Sequence, residues 1–262
     1  MKNYEQIKEF LKKDMNFFDA ESMRNTKDLI SDLIYSNDRG IFILSGEAGI
    51  GKSRVINSIV DEVKEDVFIL NSPPTLERNF LEEVYLQLRK KRFSKDVKID
   101  EIRIRVNDAF KKINHTIIID NIGESYTPLI EDIGKSLNSS MKDLKIILVL
   151  DKVFKDLLEI KSSCKFKVQD SINVKPISKT DLEIFFQQSF EKFNIQKEVN
   201  TILNNFDFIY TITDGNILKF NKFIETVFDI LATAEKENIG KFKKLNKCVL
   251  VMSALDNELV DG

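Results

Sequence analysis

The chain predicts an α/β fold: a three-layer core with a parallel sheet of about five strands, followed by a small helical domain. Three observations carry this. Short apolar runs alternate with segments of helical periodicity as far as residue 175, the pattern of a sheet covered by helices on both faces. From Pro176 onward the whole sequence reads as helix. A glycine-rich loop also joins the first apolar run to the first helix of the core.

Tyr4 to Lys12 has Ile7, Phe10 and Leu11 on one face, and Asn25 to Tyr35 has Leu29, Ile30, Leu33 and Ile34. Both predict amphipathic helices, set apart as an N-terminal segment, 1–38. The first helix with Phe17 and Phe18 could dock on a partner or a membrane; the plainer reading is packing on the core. The core, 39–175, takes strands at Ile41–Ser45, Val67–Asn71, Thr116–Asp120 and Lys145–Leu150, with a weaker one near Ser171–Val174. Helices are expected near 52–64, 76–92, 100–114, 127–140 and 152–160. In the helical domain, 176–262, Ser178 and Asp181 form a capping-box-like start, with aspartate in place of the usual Glu or Gln. That helix runs to about Phe193. Two or three more follow, the longest from about Asn216 to Asn238.

The chain has 262 residues, 42% hydrophobic and 31% charged, with a net charge of −2. Global charge therefore gives no reason to expect nucleic-acid binding, which leaves local basic patches. There is no apolar run of about 18 residues, so no transmembrane helix is expected. The charged N-terminus does not resemble a signal peptide. Cys164 and Cys248 fit buried, reduced thiols in a cytosol.

The chemistry is concentrated in Gly46-Glu47-Ala48-Gly49-Ile50-Gly51-Lys52-Ser53, which fits the phosphate-binding pattern G-x-x-x-x-G-K-[ST] at every fixed position. Glycines let successive N–H groups turn toward one phosphate, and the following helix, which opens with Arg54, adds its dipole. Lys52 neutralises β/γ-phosphate charge, and the Ser53 hydroxyl suits Mg²⁺. The implied ligand is ATP or ADP with Mg²⁺. Asp120 closes the run His115-Thr116-Ile117-Ile118-Ile119-Asp120 and is the second candidate Mg²⁺ ligand. His115, the only histidine, opens this strand as a boundary residue. Asn121 stands where many ATPases have a water-activating glutamate; it orients water but takes no proton. Glu124 is the alternative, if the chain turns at Gly123. Asp151, after the strand Leu144–Leu150, stands at a tip whose polar side chain often senses the γ-phosphate; a carboxylate there would repel phosphate unless it acted through water or metal, and the plainer reading is the cap of the next helix.

GEAGIGKS, IIIDN, the polar tip after LKIILVL and TDGNILKFNKF in the helical tail together resemble an AAA+ P-loop ATPase. The likeness is greatest to the ExeA/TniB-like and origin-recognition-like branch, over about residues 20 to 235. A NACHT-type signal-transducing ATPase is the second resemblance, through the downstream Glu124 and a partial G-x-P-L match at Gly215-Asn216-Ile217-Leu218. The first resemblance implies a sensor arginine in the lid and an arginine finger after the sensor strand. All eight arginines, however, lie at or before Arg105. Lys219 is the remaining candidate sensor, a point charge without the guanidinium fork. The resemblance therefore implies slow hydrolysis, or a site completed by self-association or by a protein partner. The setting it implies is cytoplasmic, at a membrane complex for secretion, pilus assembly or DNA uptake. The alternatives are a DNA-binding ATPase regulating transposition or replication, and a non-hydrolysing nucleotide-dependent scaffold. Nucleic acid would meet Arg89, Lys90, Lys91 and Arg92, which are followed by Lys95 and Lys98; the plainer reading is a solvated helix end. Lys241, Lys243, Lys244 and Lys247 read as a solvated face.

Overall fold

The computed structural model describes residues 4–13, 20–63, 67–111, 115–161 and 168–260. Phe17, Phe18 and Cys164 lie outside them. The elements are α1 (Tyr4–Lys13), α2 (Glu21–Tyr35), β1 (Gly40–Gly46), α3 (Lys52–Glu62), β2 (Val67–Asn71), α4 (Glu77–Arg89), α5 (Ile99–Lys111), β3 (Thr116–Asp120), α6 (Thr127–Leu137), β4 (Lys145–Asp151), α7 (Lys152–Lys161) and β5 (Val168–Asn173). The helices α8 (Lys179–Phe190), α9 (Gln196–Leu203), α10 (Phe206–Thr213), α11 (Ile217–Lys236) and α12 (Lys247–Asp256) follow. Four helices thus come after α8 among the described residues, where the sequence predicted two or three. α9 and α10 are eight residues each, too short for a clear apolar period, and Asn204-Asn205 separates them.

The chain forms two compact units. One comprises Asn25–Ala48 and Lys52–Val174; the other comprises Met1–Arg24, Gly49–Gly51 and Lys175–Gly262.

The first unit is built on five parallel strands in the order β2-β3-β4-β1-β5. β3 and the first six residues of β4 are buried throughout, as a sheet covered on both faces requires. Strand alternation sends Ile41, Ile43, Ile117, Ile119, Ile146 and Leu148 to one face. They pack there with Phe80 and Leu81 of α4, Ile102 and Val106 of α5, and Ile130 and Ile133 of α6. β5, at the edge, is mostly exposed, and its polar sequence gave the weakest strand signal. His115 is buried at the start of β3, edge-on to Phe68 at 5.0 Å and to Phe110 at 6.0 Å. This packing place, at the opposite end of β3 from Asp120, fits the boundary reading.

Lys145 is fully buried where β4 begins. Its ammonium donates to Leu33 O at 2.8 Å, Ile34 O at 3.1 Å and Ser36 O at 2.6 Å. These are carbonyls at the C-terminal end of α2, the partial negative pole of a helix. A strand lysine thereby closes the end of a helix and fixes α2 to the sheet.

The second unit has an aromatic core. Phe186 lies 4.7 Å from Phe190, Phe190 stacks on Phe228 at 5.5 Å, and Phe206 lies 5.9 Å from Phe220. The N-terminal helix α1 belongs to this core: Tyr4 and Ile7 are buried, and Phe10 meets Phe190 edge-on. The Tyr4 hydroxyl donates to Glu198 at 3.2 Å. Burial, with the Glu198 charge, pushes its pKa well up, which keeps it a donor. Ser178 caps α8, its hydroxyl accepting from Asp181 N at 3.1 Å. Cys248 is exposed, which corrects the expectation of a buried thiol. It lies in the first turn of α12 and faces outward, while Val249 and Leu250 face in.

Candidate functional site

The loop between β1 and α3 turns on two of its glycines. Gly49 and Gly51 have φ of +83° and +101°, a region that side chains rarely enter. A Cβ on Gly49 would lie 2.6 Å from Leu218 Cβ and 2.9 Å from Asn216 Oδ1, both in the same unit. Leu218 N also donates to Gly49 O at 3.2 Å. Ile50 is buried, whereas Glu47 and Ala48 are exposed.

Lys52 opens α3 and is 8% exposed. Its ammonium donates to Gly46 O at 2.9 Å, Glu47 O at 2.8 Å and Asp151 Oδ1 at 2.7 Å. Ser53 and Arg54 are exposed on the first turn of the same helix. Asp120 is buried at the tip of β3, one carboxylate oxygen accepting from Asn121 N at 2.8 Å. Ser72, past the tip of β2, locks that corner: its N–H donates to Asp120 O at 3.1 Å and its hydroxyl to Asn121 O at 3.3 Å.

Asn121 has φ +56°. Asparagine tolerates this left-handed backbone better than most residues, so its presence has a backbone reason apart from any contact with water. Glu124 is exposed and starts a 3-10 turn that precedes α6. Lys219 is exposed on the first turn of α11. Asn216 is 2% exposed and caps that helix, its side-chain oxygen accepting from Leu218 N and Lys219 N. Gly215, at φ +64°, faces Ile177 O so closely that a Cβ would lie 2.3 Å from it. Gly215-Asn216 is therefore explained as a tight turn and helix cap.

The donor set suits Mg²⁺, a hard cation that takes oxygen ligands and retains water. Ser53 offers a hydroxyl at a helix N-terminus. Asp120 keeps a second carboxylate oxygen beside the one on Asn121 N. Among the described residues no cluster of three or more His, Cys, Asp or Glu that could hold a metal ion exists.

Ser72 escaped the sequence reading, and so did the partner of Asp151. Weighed as a phosphate sensor or a helix cap, Asp151 has its carboxylate on Lys52. The signal was register: Gly46 pairs with Asp151 across β1 and β4, which places that side chain at the mouth of the loop. Ser72 was visible only as a polar residue after a strand.

A family model described as an AAA domain matches residues 35–158, a span that contains the loop, Asp120 and Asp151. Solved structures resemble the chain at low identity. The ORC1 protein of Aeropyrum pernix in complex with DNA is 10% identical with a TM-score of 0.58, covering 95% of this chain and 69% of that one. A Walker-type ATPase of Pyrococcus abyssi is 14% identical at 0.53, covering 87% and 75%. Drosophila ORC bound to GC-rich DNA and Cdc6 is 11% identical at 0.54, covering 86% and 40%. No curated protein matches the sequence. At these identities the likeness is one of fold.

Proposed function

We propose that this chain, which has the AAA+ P-loop NTPase fold, binds ATP with Mg²⁺ and uses the bound nucleotide to control assembly. The observation that carries the reading is Lys52: buried, at the head of α3, its ammonium gathered under the glycine loop. Backbone N–H groups of 48–53 cradle the phosphates and Lys52 neutralises them. Ser53 and Asp120 hold Mg²⁺, which when bound offsets phosphate charge. Asn121 or Glu124 positions water, and Lys219 serves as the lid sensor.

No arginine follows Arg105, so turnover is slow, or it needs a neighbouring molecule to complete the site. Arginine fingers contribute roughly 10³–10⁵ in rate where measured. The likeness to ExeA favours a part in secretion, pilus assembly or DNA uptake, with a membrane-bound partner; no described helix is long and apolar enough to cross a membrane. ATP turnover measured over a wide range of protein concentration tests this, with Lys52→Ala as blank. Specific activity should be low in dilute protein and rise with concentration. Brisk turnover independent of concentration would sink the proposal. Tight binding at the blank's rate would leave a nucleotide-dependent scaffold.

One observation favours a second reading, a DNA-binding ATPase. The basic segment after α4 is a held loop. Arg78 donates to Lys95 O at 3.1 Å and Val97 O at 2.8 Å, and Phe93 packs on Tyr85 at 4.3 Å. Arg89, Lys90, Lys91, Arg92, Lys95 and Lys98 are all exposed on it. On this reading duplex affinity falls steeply as salt rises, and Lys91→Ala with Arg92→Ala flattens that slope. Salt-independent binding, or none, removes the reading.

A further inference from the structure

We infer that Asp151 is a built-in counter-ion that an incoming nucleotide phosphate must displace from Lys52, and that it thereby sets the affinity of the site. The inference rests on the phosphate-loop reading above and deepens it.

An ammonium has three N–H donors. In Lys52 all three have acceptors, at 2.7 to 2.9 Å: two carbonyls of the loop's own start and one carboxylate oxygen. A phosphate oxygen that reaches this lysine replaces one of them. Gly46 O and Glu47 O belong to the backbone where β1 leads into the loop. Asp151 is a side chain, 56% exposed, and is the acceptor able to leave.

Once displaced, the carboxylate does not go far. The pairing of Gly46 with Asp151 holds its backbone beside the loop. Strand alternation puts it on the same sheet face as Asp120, since Ile118 pairs with Ile147 and both acids lie an even number of residues further on. The phosphate therefore meets a lysine already neutralised, and afterwards has a negative neighbour. Both effects weaken binding. Neither needs a catalytic part for Asp151, which acts through Lys52 and is a positioning residue.

The test is calorimetric titration of the full chain with Mg·ADP, Mg·ATP and AMP. Asp151→Asn keeps the shape and an acceptor for Lys52 but removes the charge. It should tighten ADP and ATP by about three- to fivefold, the order expected for a partly screened pair. AMP, whose phosphate stops short of a lysine that serves the β and γ positions, should bind unchanged. Asp151→Ser, which removes the carboxylate and shortens the side chain, should shift affinity the same way, and circular dichroism checks that both variants fold. A merely structural role would loosen binding, so a gain specific to di- and triphosphates distinguishes the two. If the wild type binds nucleotide and both variants bind it equally or more weakly, the counter-ion inference is overturned and the phosphate-loop reading stands. If neither wild type nor variants bind any nucleotide, both fall together.

Discussion

Lys52→Ala is expected to weaken binding of Mg·ATP and Mg·ADP by roughly two orders of magnitude or more, about 3 kcal/mol, the range of one or two hydrogen bonds to a charged partner. The geometry supports a large effect. Lys52 is 8% exposed, so water does not replace its charge well, and it sits at the positive end of α3, where phosphate charge concentrates. The measured loss is a difference between two states, because the free protein also uses the ammonium, on Gly46 O, Glu47 O and Asp151. Removing the lysine costs about 1 kcal/mol of folding stability as well, the usual net value of such a contact, and denaturant unfolding reads that part separately. Calorimetric titration reads the binding part. Retention of wild-type affinity in Lys52→Ala would show that phosphate does not meet this lysine.

The motif and much of the fold could be read from the sequence because they depend on local pattern. β2 and β3 fall where predicted, since Val67–Asn71 and Thr116–Asp120 are short apolar runs that end in a polar residue. The loop could be read because Gly49 and Gly51 are the residues that left-handed backbone requires. What could not be read depends on residues distant in sequence. Asp151 looks like a helix cap until β1 is paired with β4, and only that register brings it 99 positions back to Lys52. Lys145 looks like the polar edge of a strand, yet it is the most deeply buried lysine of the core, because α2 ends against it. α1 reads as a helix that packs on the core, without a sign of which residues receive it. Its aromatic partners Phe190 and Phe228 lie far along the chain, where periodicity over a window cannot see them. Asn121 shows a further limit. Its identity suggested an altered catalytic residue, whereas its φ of +56° supplies a conformational reason.

Lys145→Met is expected to lower stability near neutral pH by about 2 kcal/mol, and by more as pH rises. Two opposing terms decide the neutral value. Methionine removes a buried charge, which relieves desolvation. It also removes three hydrogen bonds from an ammonium, to Leu33 O, Ile34 O and Ser36 O, at a helix terminus whose dipole favours a cation. Hydrogen bonds to a charged group contribute about 1.5–3 kcal/mol each. Relief of the ammonium's desolvation, with the bond that Leu33 O keeps from the Ser36 hydroxyl at 2.9 Å, holds the net loss to about the value of one such bond. The pH dependence follows from linkage. Burial, ahead of the nearby Arg39 charge and against the pull of Asp38, lowers the Lys145 pKa from 10.5 to about 8. Below about 8 the group is protonated in both folded and unfolded chains, and its contribution is flat. Between 8 and 10.5 the unfolded chain holds the proton that the folded protein has released, so stability from this group rises with pH. Methionine does not titrate, and the remaining ionisable groups are common to both proteins. The difference in unfolding free energy between wild type and Lys145→Met, from denaturant titrations at pH 7, 8, 9 and 10, should therefore be level to about 8 and widen above it. A more stable Lys145→Met protein at pH 7 would mean that the ammonium's desolvation outweighs its bonds to α2, and a gap that narrows above pH 8 would place the folded-state pKa above that of the unfolded chain.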